Sequence, residues 1–249
     1  DTDTVTVDTA TDPDTTPPPV DTGTPPVDTG TPPVTVPASA PVYANTSDTL
    51  FEIDPATGAR TYVGTFQDGG APIDGMVDIA IDTAGRMFGG TYEAIWQIDP
   101  TTAAVSQVCE TDLAPYALAF TSDGVLFAGA GADIVRVELP TCRTTTLVSN
   151  SDYETSGDLV GLPDGYLYWT VDGGDSDHLV RVDALTGAAF WVGVVDEVDL
   201  FGLGYDQGEL YGFSKGGAIV RIDPGNASTQ SVFSDGTSWW GATTNPVVW

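Results

Sequence analysis

The only histidine of the chain, His178, lies in the acidic segment VDGGDSDHLV at residues 171–180. A histidine beside carboxylates has the residue types of a general base or a metal ligand. Asp172, Asp175 and Asp177 also show the alternating oxygen spacing of a calcium-binding loop, and the glycines would let the backbone curl around an ion. The segment lacks the downstream bidentate glutamate of an EF-hand loop. Calcium is therefore a candidate cofactor, and a metal-free acidic hairpin is the simpler interpretation.

Support for catalysis is weak in the rest of the sequence. A nucleophilic mechanism needs a base near a serine or cysteine, and His178 is the one conventional base. A glycosidase needs two carboxylates, and no pattern among the 36 acidic residues distinguishes such a pair. We therefore expect no enzymatic activity and no catalytic residues, and a secreted glycan-acting enzyme is the weakest functional alternative.

The charge balance excludes several classes of partner. The 249 residues carry 36 acidic against 7 basic side chains, a net charge of -29. Phosphate backbones and anionic membrane surfaces would be repelled, so we expect no nucleic-acid partner. No apolar stretch of about 18 residues is present, so we also expect no membrane insertion. Few basic residues and many Thr, Asp and Gly favour an extracellular or cell-surface protein.

The two cysteines, Cys109 and Cys142, support the same location. In an oxidising compartment they would most simply form one disulfide that closes a loop of about 30 residues and stabilises the fold by roughly 3 kcal/mol. Two buried free thiols are the alternative.

From residue 41 onward, a short sequence motif recurs, in which a run of β-forming residues ends at an acidic turn. Its five copies are LFEIDPATG (50–58), IWQIDPTTA (95–103), IVRVELPTC (134–142), LVRVDALTG (179–187) and IVRIDPGNA (219–227). A hairpin with a glycine in its turn precedes four of the copies, and a further β run follows each copy. We interpret the repeated aspartates as turn caps, because an aspartate accepts local backbone hydrogen bonds.

Four antiparallel strands that recur about every 40 residues are typical of a propeller blade. The C-terminal WWGATT at residues 239–244 matches a first strand, so it would complete the partial blade at residues 42–66 and close the ring. We therefore predict an all-β, five-bladed β-propeller over residues 41–249, preceded by an arm at residues 1–40. A sixth blade would require hidden strands at residues 67–78.

The sequence IDPATGARTYVGTF, with a hairpin before it, resembles the repeats of secreted bacterial β-propellers that carry a DPxTG turn. The resemblance covers residues 42–245 and implies the propeller fold, but propellers host many unrelated functions. The N-terminal arm separately resembles the Thr/Pro/Asp-rich linkers of bacterial surface proteins.

Residues 1–40 contain 12 Thr, 9 Pro and 7 Asp with no aromatic or basic residue, so they cannot bury enough surface to offset the entropy of ordering. We expect an extended arm with polyproline character. Threonines spaced by prolines favour O-linked glycans, and two sequons allow N-linked glycans. The predicted glycosylation sites are Thr22, Thr24, Thr29, Thr31, Asn45 and Asn226.

The first residues of the arm, DTDTVTVDT, alternate β-formers with polar residues and could add a strand to the sheet edge of another subunit. The predicted assembly residues are Thr4, Val5, Thr6 and Val7. A head-to-tail contact of this kind does not close, so it propagates into a filament. Our first hypothesis is a non-enzymatic extracellular structural or surface-display protein that assembles with itself through a glycosylated arm.

The alternative hypothesis is a ligand- or carbohydrate-binding propeller on a stalk. Aromatic side chains can stack on sugar rings, although most of those in this sequence fall within strands, where they would fill the spaces between blades. The aromatic candidates are Tyr166, Tyr168, Trp169, Trp191, Tyr211, Trp239 and Trp240.

Overall fold

The computed structural model describes residues 41–149 and 151–246. The arm, with its predicted assembly residues and O-glycosylation sites, lies outside the described residues. The described part of the chain folds into β-strands and contains no helix that could cross a membrane.

The strands coincide with the repeated sequence motifs. In chain order they are β1 (Val42–Asn45), β2 (Thr49–Ile53), β3 (Arg60–Thr65), β4 (Gln67–Asp68), β5 (Ala71–Pro72), β6 (Asp78–Ile81), β7 (Met87–Gly90), β8 (Ala94–Ile98), β9 (Val105–Glu110), β10 (Ala117–Phe120), β11 (Leu126–Ala130), β12 (Asp133–Glu138), β13 (Arg143–Val148), β14 (Thr155–Gly161), β15 (Tyr166–Val171), β16 (His178–Asp183), β17 (Ala189–Val194), β18 (Leu200–Asp206), β19 (Glu209–Ser214), β20 (Ala218–Ile222), β21 (Thr229–Ser234) and β22 (Gly241–Thr244).

These strands form five four-stranded antiparallel sheets, which are the blades of a propeller. Blade 1 has the order β22-β1-β2-β3, and blades 2 to 5 are β6–β9, β10–β13, β14–β17 and β18–β21. The innermost strands, β6, β10, β14, β18 and β22, pack against one another around the axis. The predicted five-bladed propeller is confirmed.

The C-terminal strand closes the ring as predicted. β22 pairs with β1 in antiparallel register, with Gly241 opposite Asn45 and Thr244 opposite Val42. The ring closure also buries Trp239, whose indole packs edge-to-face on Phe213 of blade 5 at 5.7 Å between ring centroids. β22 thus supplies the innermost strand of blade 1 and covers the edge of β1, which would otherwise be a template for aggregation.

Residues 67–78 contain only the two-residue strands β4 and β5, which pair as a small hairpin. This hairpin is too short to be a blade. The six-bladed alternative is therefore excluded.

The repeated aspartates cap turns between the third and fourth strands. The Asp54 side chain accepts a hydrogen bond from the Ala56 amide at 3.0 Å, and the Asp99 side chain accepts one from the Thr101 amide at 2.8 Å. Hydrogen bonds from the Thr101 hydroxyl and amide lower the pKa of Asp99. The predicted turn-capping role is confirmed at these positions.

Candidate functional site

The five innermost strands bring equivalent residues to the centre of the ring. In chain order these residues are Asp78, Ala117, Asp158, Gly202 and Gly241. The backbone amide that follows each of them is directed to one of two carboxyl groups, which are those of Asp78 and Asp158. All five blades therefore share one buried polar cluster at the axis.

The Asp78 carboxyl accepts hydrogen bonds from the amides of Ile79 at 2.8 Å and Leu118 at 2.5 Å. It thereby joins blade 2 to blade 3. An amide that is buried away from water needs such an acceptor, because an unpaired buried polar group costs roughly 1–3 kcal/mol.

The Asp158 carboxyl accepts hydrogen bonds from the amides of Leu159 at 2.5 Å, of Leu203, and of Ala242. It thereby joins blade 4 to blades 5 and 1. Two side chains thus satisfy one amide from every blade.

Asp78 and Asp158 are fully buried and hydrogen-bonded to each other. Burial raises the pKa of Asp78, and the charge of Asp158 raises it further. Asp158 receives three amide hydrogen bonds and Asp78 receives two, so Asp158 is the better site for the negative charge. Burial raises the pKa of Asp158 as well, whereas its hydrogen bond with Asp78 lowers it. When the pair holds one proton, that proton lies on Asp78, which donates it in a hydrogen bond to Asp158.

Gly241 allows this close approach at the axis. A Cβ atom at this position would lie 2.7 Å from the Asn45 Oδ1 atom and 2.7 Å from the Asp78 Cα atom, and would also collide with the Asp78 carboxyl. Only glycine fits here, because a real Cβ atom does not approach other heavy atoms so closely.

One residue before each axial position, the innermost strands form the mouth of a pocket on the propeller axis. Its volume is about 360 Å³. The five equivalent residues that line it are Val77, Tyr116, Gly157, Phe201 and Trp240. We call this depression the axial pocket. Two of its lining residues, Val77 and Gly157, directly precede Asp78 and Asp158, so the carboxyl pair is adjacent to the pocket in sequence.

Loops at the same face complete the walls of the axial pocket. Tyr92 follows β7, and its ring packs edge-to-face on that of Tyr116 at 5.8 Å between centroids. The two side chains remain 47% and 43% exposed. Lys215 follows β19 and places its Nζ atom 5.5 Å from the centre of the Phe201 ring. The pocket thus combines aromatic surfaces with one cation.

Three consecutive polar residues line the side of the axial pocket that leads into β14. They are Glu154, Thr155 and Ser156. The Ser156 hydroxyl donates to the Asp177 carboxylate at 2.6 Å, and the Leu200 amide donates to the same carboxylate at 2.7 Å. Burial raises the pKa of Asp177. Asp177 therefore fixes the position of Ser156 at the pocket wall.

Among the described residues, the predicted calcium ligands do not form one ligand set. Asp177 is buried and holds Ser156, whereas the Asp172 carboxylate accepts a hydrogen bond from the Gly174 amide at 2.7 Å and Asp175 is exposed. No cluster of three or more His, Cys, Asp or Glu side chains suited to a metal ion occurs in the described part of the chain. The spacing in the sequence does not bring the three carboxylates together, because the hairpin turns Asp177 inward.

The histidine has a packing contact in the structure. His178 begins β16, and its ring lies edge-to-face against Trp191 with 4.6 Å between centroids. Neither residue lines the axial pocket.

A disulfide joins Cys109 in β9 to Cys142 in the turn after β12, with 5.9 Å between the Cα atoms. It therefore links blade 2 to blade 3. Both cysteines pack with the apolar cluster between these blades.

The two predicted N-glycosylation sites differ in exposure. Asn226 is exposed in the turn after β20. Asn45 is fully buried, and its Nδ2 atom donates to the carbonyls of Thr46 and Met76 at 2.9 Å each. The structure therefore contradicts Asn45 as a glycan acceptor, because the strand pairing and the axial cluster enclose its amide.

Most aromatic residues singled out in the sequence fill the spaces between blades. Trp169 and Trp239 are buried, and among the seven candidates only Trp240 lines the axial pocket within the described residues. The sequence reasoning missed Tyr92, Tyr116, Phe201, Glu154 and Lys215. Alignment of the five innermost strands would have indicated Tyr116 and Phe201, which occupy the same repeat position as Trp240.

Each of the other surface depressions is lined by residues of one or two blades. Two of them have volumes of about 540 Å³ and 530 Å³. They are larger in volume than the axial pocket. Among the depressions of the described residues, however, the axial pocket is the one to which all five blades contribute.

Comparisons with solved structures give distant matches. A chain from the crystal structure of a nidogen/laminin complex superposes with a TM-score of 0.57 and 12% identity, covering 83% of this chain and 98% of that chain. A symmetrical protein studied for its de novo evolutionary emergence gives a TM-score of 0.52 at 15% identity, covering 81% and 93%. TolB from Acinetobacter baumannii gives a TM-score of 0.51 at 14% identity, covering 83% and 66%.

No protein-family model matches the sequence, and no curated protein matches it either. At these identities the structural likeness concerns the fold alone. The chain is a five-bladed β-propeller.

Proposed function

We propose that the protein is a non-enzymatic extracellular binding module that takes a small carbohydrate in the axial pocket, with its arm as a stalk. The observation that carries this proposal is the convergence of all five blades on a pocket with exposed aromatic walls. The proposal also places the chain among secreted bacterial propellers, which its DPxTG wording resembles. The Cys109–Cys142 disulfide favours an oxidising compartment.

Carbohydrate fits the composition of the pocket. Its volume of about 360 Å³ is at the small end of the range for ligand sites. Tyr92, Tyr116 and Trp240 offer apolar faces with polar edges, which suit the apolar face and the hydroxyls of a sugar ring. Glu154 and Ser156 add oxygen atoms at the wall.

Binding without turnover fits the distribution of carboxylates. Among the described residues that line the pocket, Glu154 is the one acidic side chain, whereas hydrolysis of a glycoside needs two carboxyl groups. The Asp78–Asp158 pair has no exposed surface, and its oxygens already accept amide hydrogen bonds. The pair therefore serves the ring rather than a substrate.

Replacement of Trp240 or Tyr116 with alanine tests the proposal. We expect each variant to bind a saccharide panel at least about fivefold more weakly than the wild type, since stacking of a ring on an aromatic side chain contributes roughly 1–3 kcal/mol where it has been measured for nucleic-acid bases. The measurement is isothermal titration of mono- and disaccharides into the full chain. Trp191→Ala is the control, because Trp191 is 49% exposed but lies on β17 away from the pocket. Equal losses in Trp191→Ala, or no sugar bound by the wild type, would refute the proposal.

Filament assembly through the arm is a second proposal. It is favoured by the alternating residues Thr4 to Val7 and by the repeated VDTGTPP sequence at residues 20–33. Assembly and sugar binding are compatible, because they would use different parts of the chain.

A further inference from the structure

Among the seven basic side chains of the protein, Lys215 is distinguished by having no oxygen partner within residues 41–149 and 151–246. Five arginines donate to oxygen atoms in hydrogen bonds, and the sixth, Arg181, donates to the Tyr168 hydroxyl. Within the described residues the Lys215 ammonium has no ion pair or hydrogen bond. Its Nζ atom lies over the ring of Phe201 in the axial pocket.

This arrangement is notable in a chain with 36 acidic residues. An ammonium over an aromatic ring is held by the quadrupole of the ring and keeps its donors free. The donors therefore remain available to an acceptor that enters the pocket.

A carboxylate and a hydroxyl, which accept hydrogen bonds, line the same pocket. The Glu154 carboxylate has no ion pair or hydrogen bond with the described residues, and it lines the pocket with Thr155. The Thr155 hydroxyl is buried and unpaired among these residues. Carboxylate and hydroxyl oxygens are suitable acceptors for the hydroxyl groups of a sugar.

From these groups we infer that the axial pocket selects a sugar that carries a carboxylate, of the hexuronic acid class. The carboxylate pairs with Lys215, the hydroxyls bond to Glu154 and Thr155, and the apolar ring face packs on Tyr116 and Trp240. A single ammonium matches a singly charged carboxylate better than a doubly charged phosphate ester, which arginine forks or several cations usually bind. The inference rests on the proposed function, whose site it specifies.

A matched pair of ligands tests the inference on the full chain. Methyl β-glucuronide and methyl β-glucoside differ only by a carboxylate in place of a hydroxymethyl group. By isothermal titration, we expect the wild type to bind the glucuronide about tenfold more tightly, as for a charge-assisted hydrogen bond. Lys215→Met should bind the two ligands equally, and Lys215→Arg should restore most of the preference.

Arg221→Met is the matched control, because it also removes one positive charge but lies on the exposed part of β20, where it bonds to Gln230. It should keep the preference of the wild type. Equal affinity of the wild type for both ligands would overturn the carboxylate inference and leave sugar binding intact. A preference that survives in Lys215→Met would also overturn it. Failure of the wild type to bind either ligand would overturn both the inference and the proposed function.

Discussion

Asp78 and Asp158 show how two side chains can hold five blades together. One backbone amide of each blade donates a hydrogen bond to this pair, and both side chains are buried. Two neighbouring negative charges in a buried site would repel each other strongly. The folded protein therefore favours the state in which the two carboxyl groups share one proton.

This shared proton makes stability depend on pH. In the folded state the pKa of Asp78 is raised, whereas in the unfolded chain an aspartate titrates at about 4. Above about pH 4 the folded protein therefore binds more protons than the unfolded chain does. The free energy of unfolding then falls as the pH rises through the raised pKa of Asp78. One proton contributes a slope of up to about 1.4 kcal/mol per pH unit.

Asp78→Asn should flatten this dependence, since asparagine does not titrate. At about pH 5 the variant should be less stable by about 1–3 kcal/mol, because one axial amide loses its acceptor. The difference from the wild type should shrink as the pH rises towards the raised pKa of Asp78. Urea unfolding at several pH values provides the measurement.

Asp54→Asn serves as the control for Asp78→Asn, since asparagine also caps turns and Asp54 is exposed. Its pH dependence should follow that of the wild type. Asp177, whose pKa is also raised by burial, contributes a slope of the same sign in all variants. Parallel pH curves for wild type and Asp78→Asn would contradict the shared proton.

At the residue scale, the sequence predicts what depends on neighbours in the chain. The turn-capping aspartates bond to amides two residues away, so their role follows from the local pattern. The axial pair joins residues 80 positions apart in sequence, and the pocket combines Tyr92 with Lys215 from blades 2 and 5. Such contacts depend on how the ring of blades closes, and ring closure cannot be predicted from a local sequence pattern.

At the element scale, β22 has two functions. It closes the ring by pairing with β1, and it brings Gly241 against the axial carboxyls. A change at Gly241 therefore tests ring closure and the axial cluster together.

Gly241→Ala should lower the free energy of unfolding by about 1–3 kcal/mol, the usual cost of overpacking. The added methyl group would displace Asp78 or Asn45, and strand pairing keeps the backbone from moving away. Thermal unfolding followed by circular dichroism gives the measurement. Gly225→Ala is the control, because this exposed turn residue would meet only the Asp223 carboxylate, at 3.2 Å. An unchanged melting temperature in Gly241→Ala would show that the axis is loosely packed.

The strands were predictable because each blade repeats the same alternation of apolar and polar residues. The C-terminal strand was also predictable, since WWGATT matches the innermost strands of the other blades. The hairpin β4–β5 was not, because Gln67–Asp68 and Ala71–Pro72 have no β-forming pattern and follow no repeat.

At the scale of the whole molecule, the two proposals assign different roles to the ring and to the arm. The described propeller closes on itself between Val42 and Thr244. All four strands of every blade therefore come from residues 42–244.

Deletion of residues 1–40 should leave the melting temperature and sugar affinity of the propeller unchanged. If the arm drives assembly, the full chain should form regular filaments in electron micrographs, and the deletion variant should be a monomer. Dispersed single particles of the full chain would contradict assembly through the arm. Loss of sugar binding on deletion would instead show that the arm contributes to the site.

Sugar binding in the axial pocket, as proposed above, is tested most directly through the tryptophan indole groups. The chain has six tryptophans, whose indole N–H signals can be followed in a two-dimensional proton–nitrogen spectrum of the full chain. Titration with methyl β-glucuronide and with methyl β-glucoside should shift the Trp240 signal in a saturable way with at least one of them. The signal of Trp191, exposed on β17, should not move. A shift of Trp191 with Trp240 unchanged, or no shift of either signal, would contradict the claim.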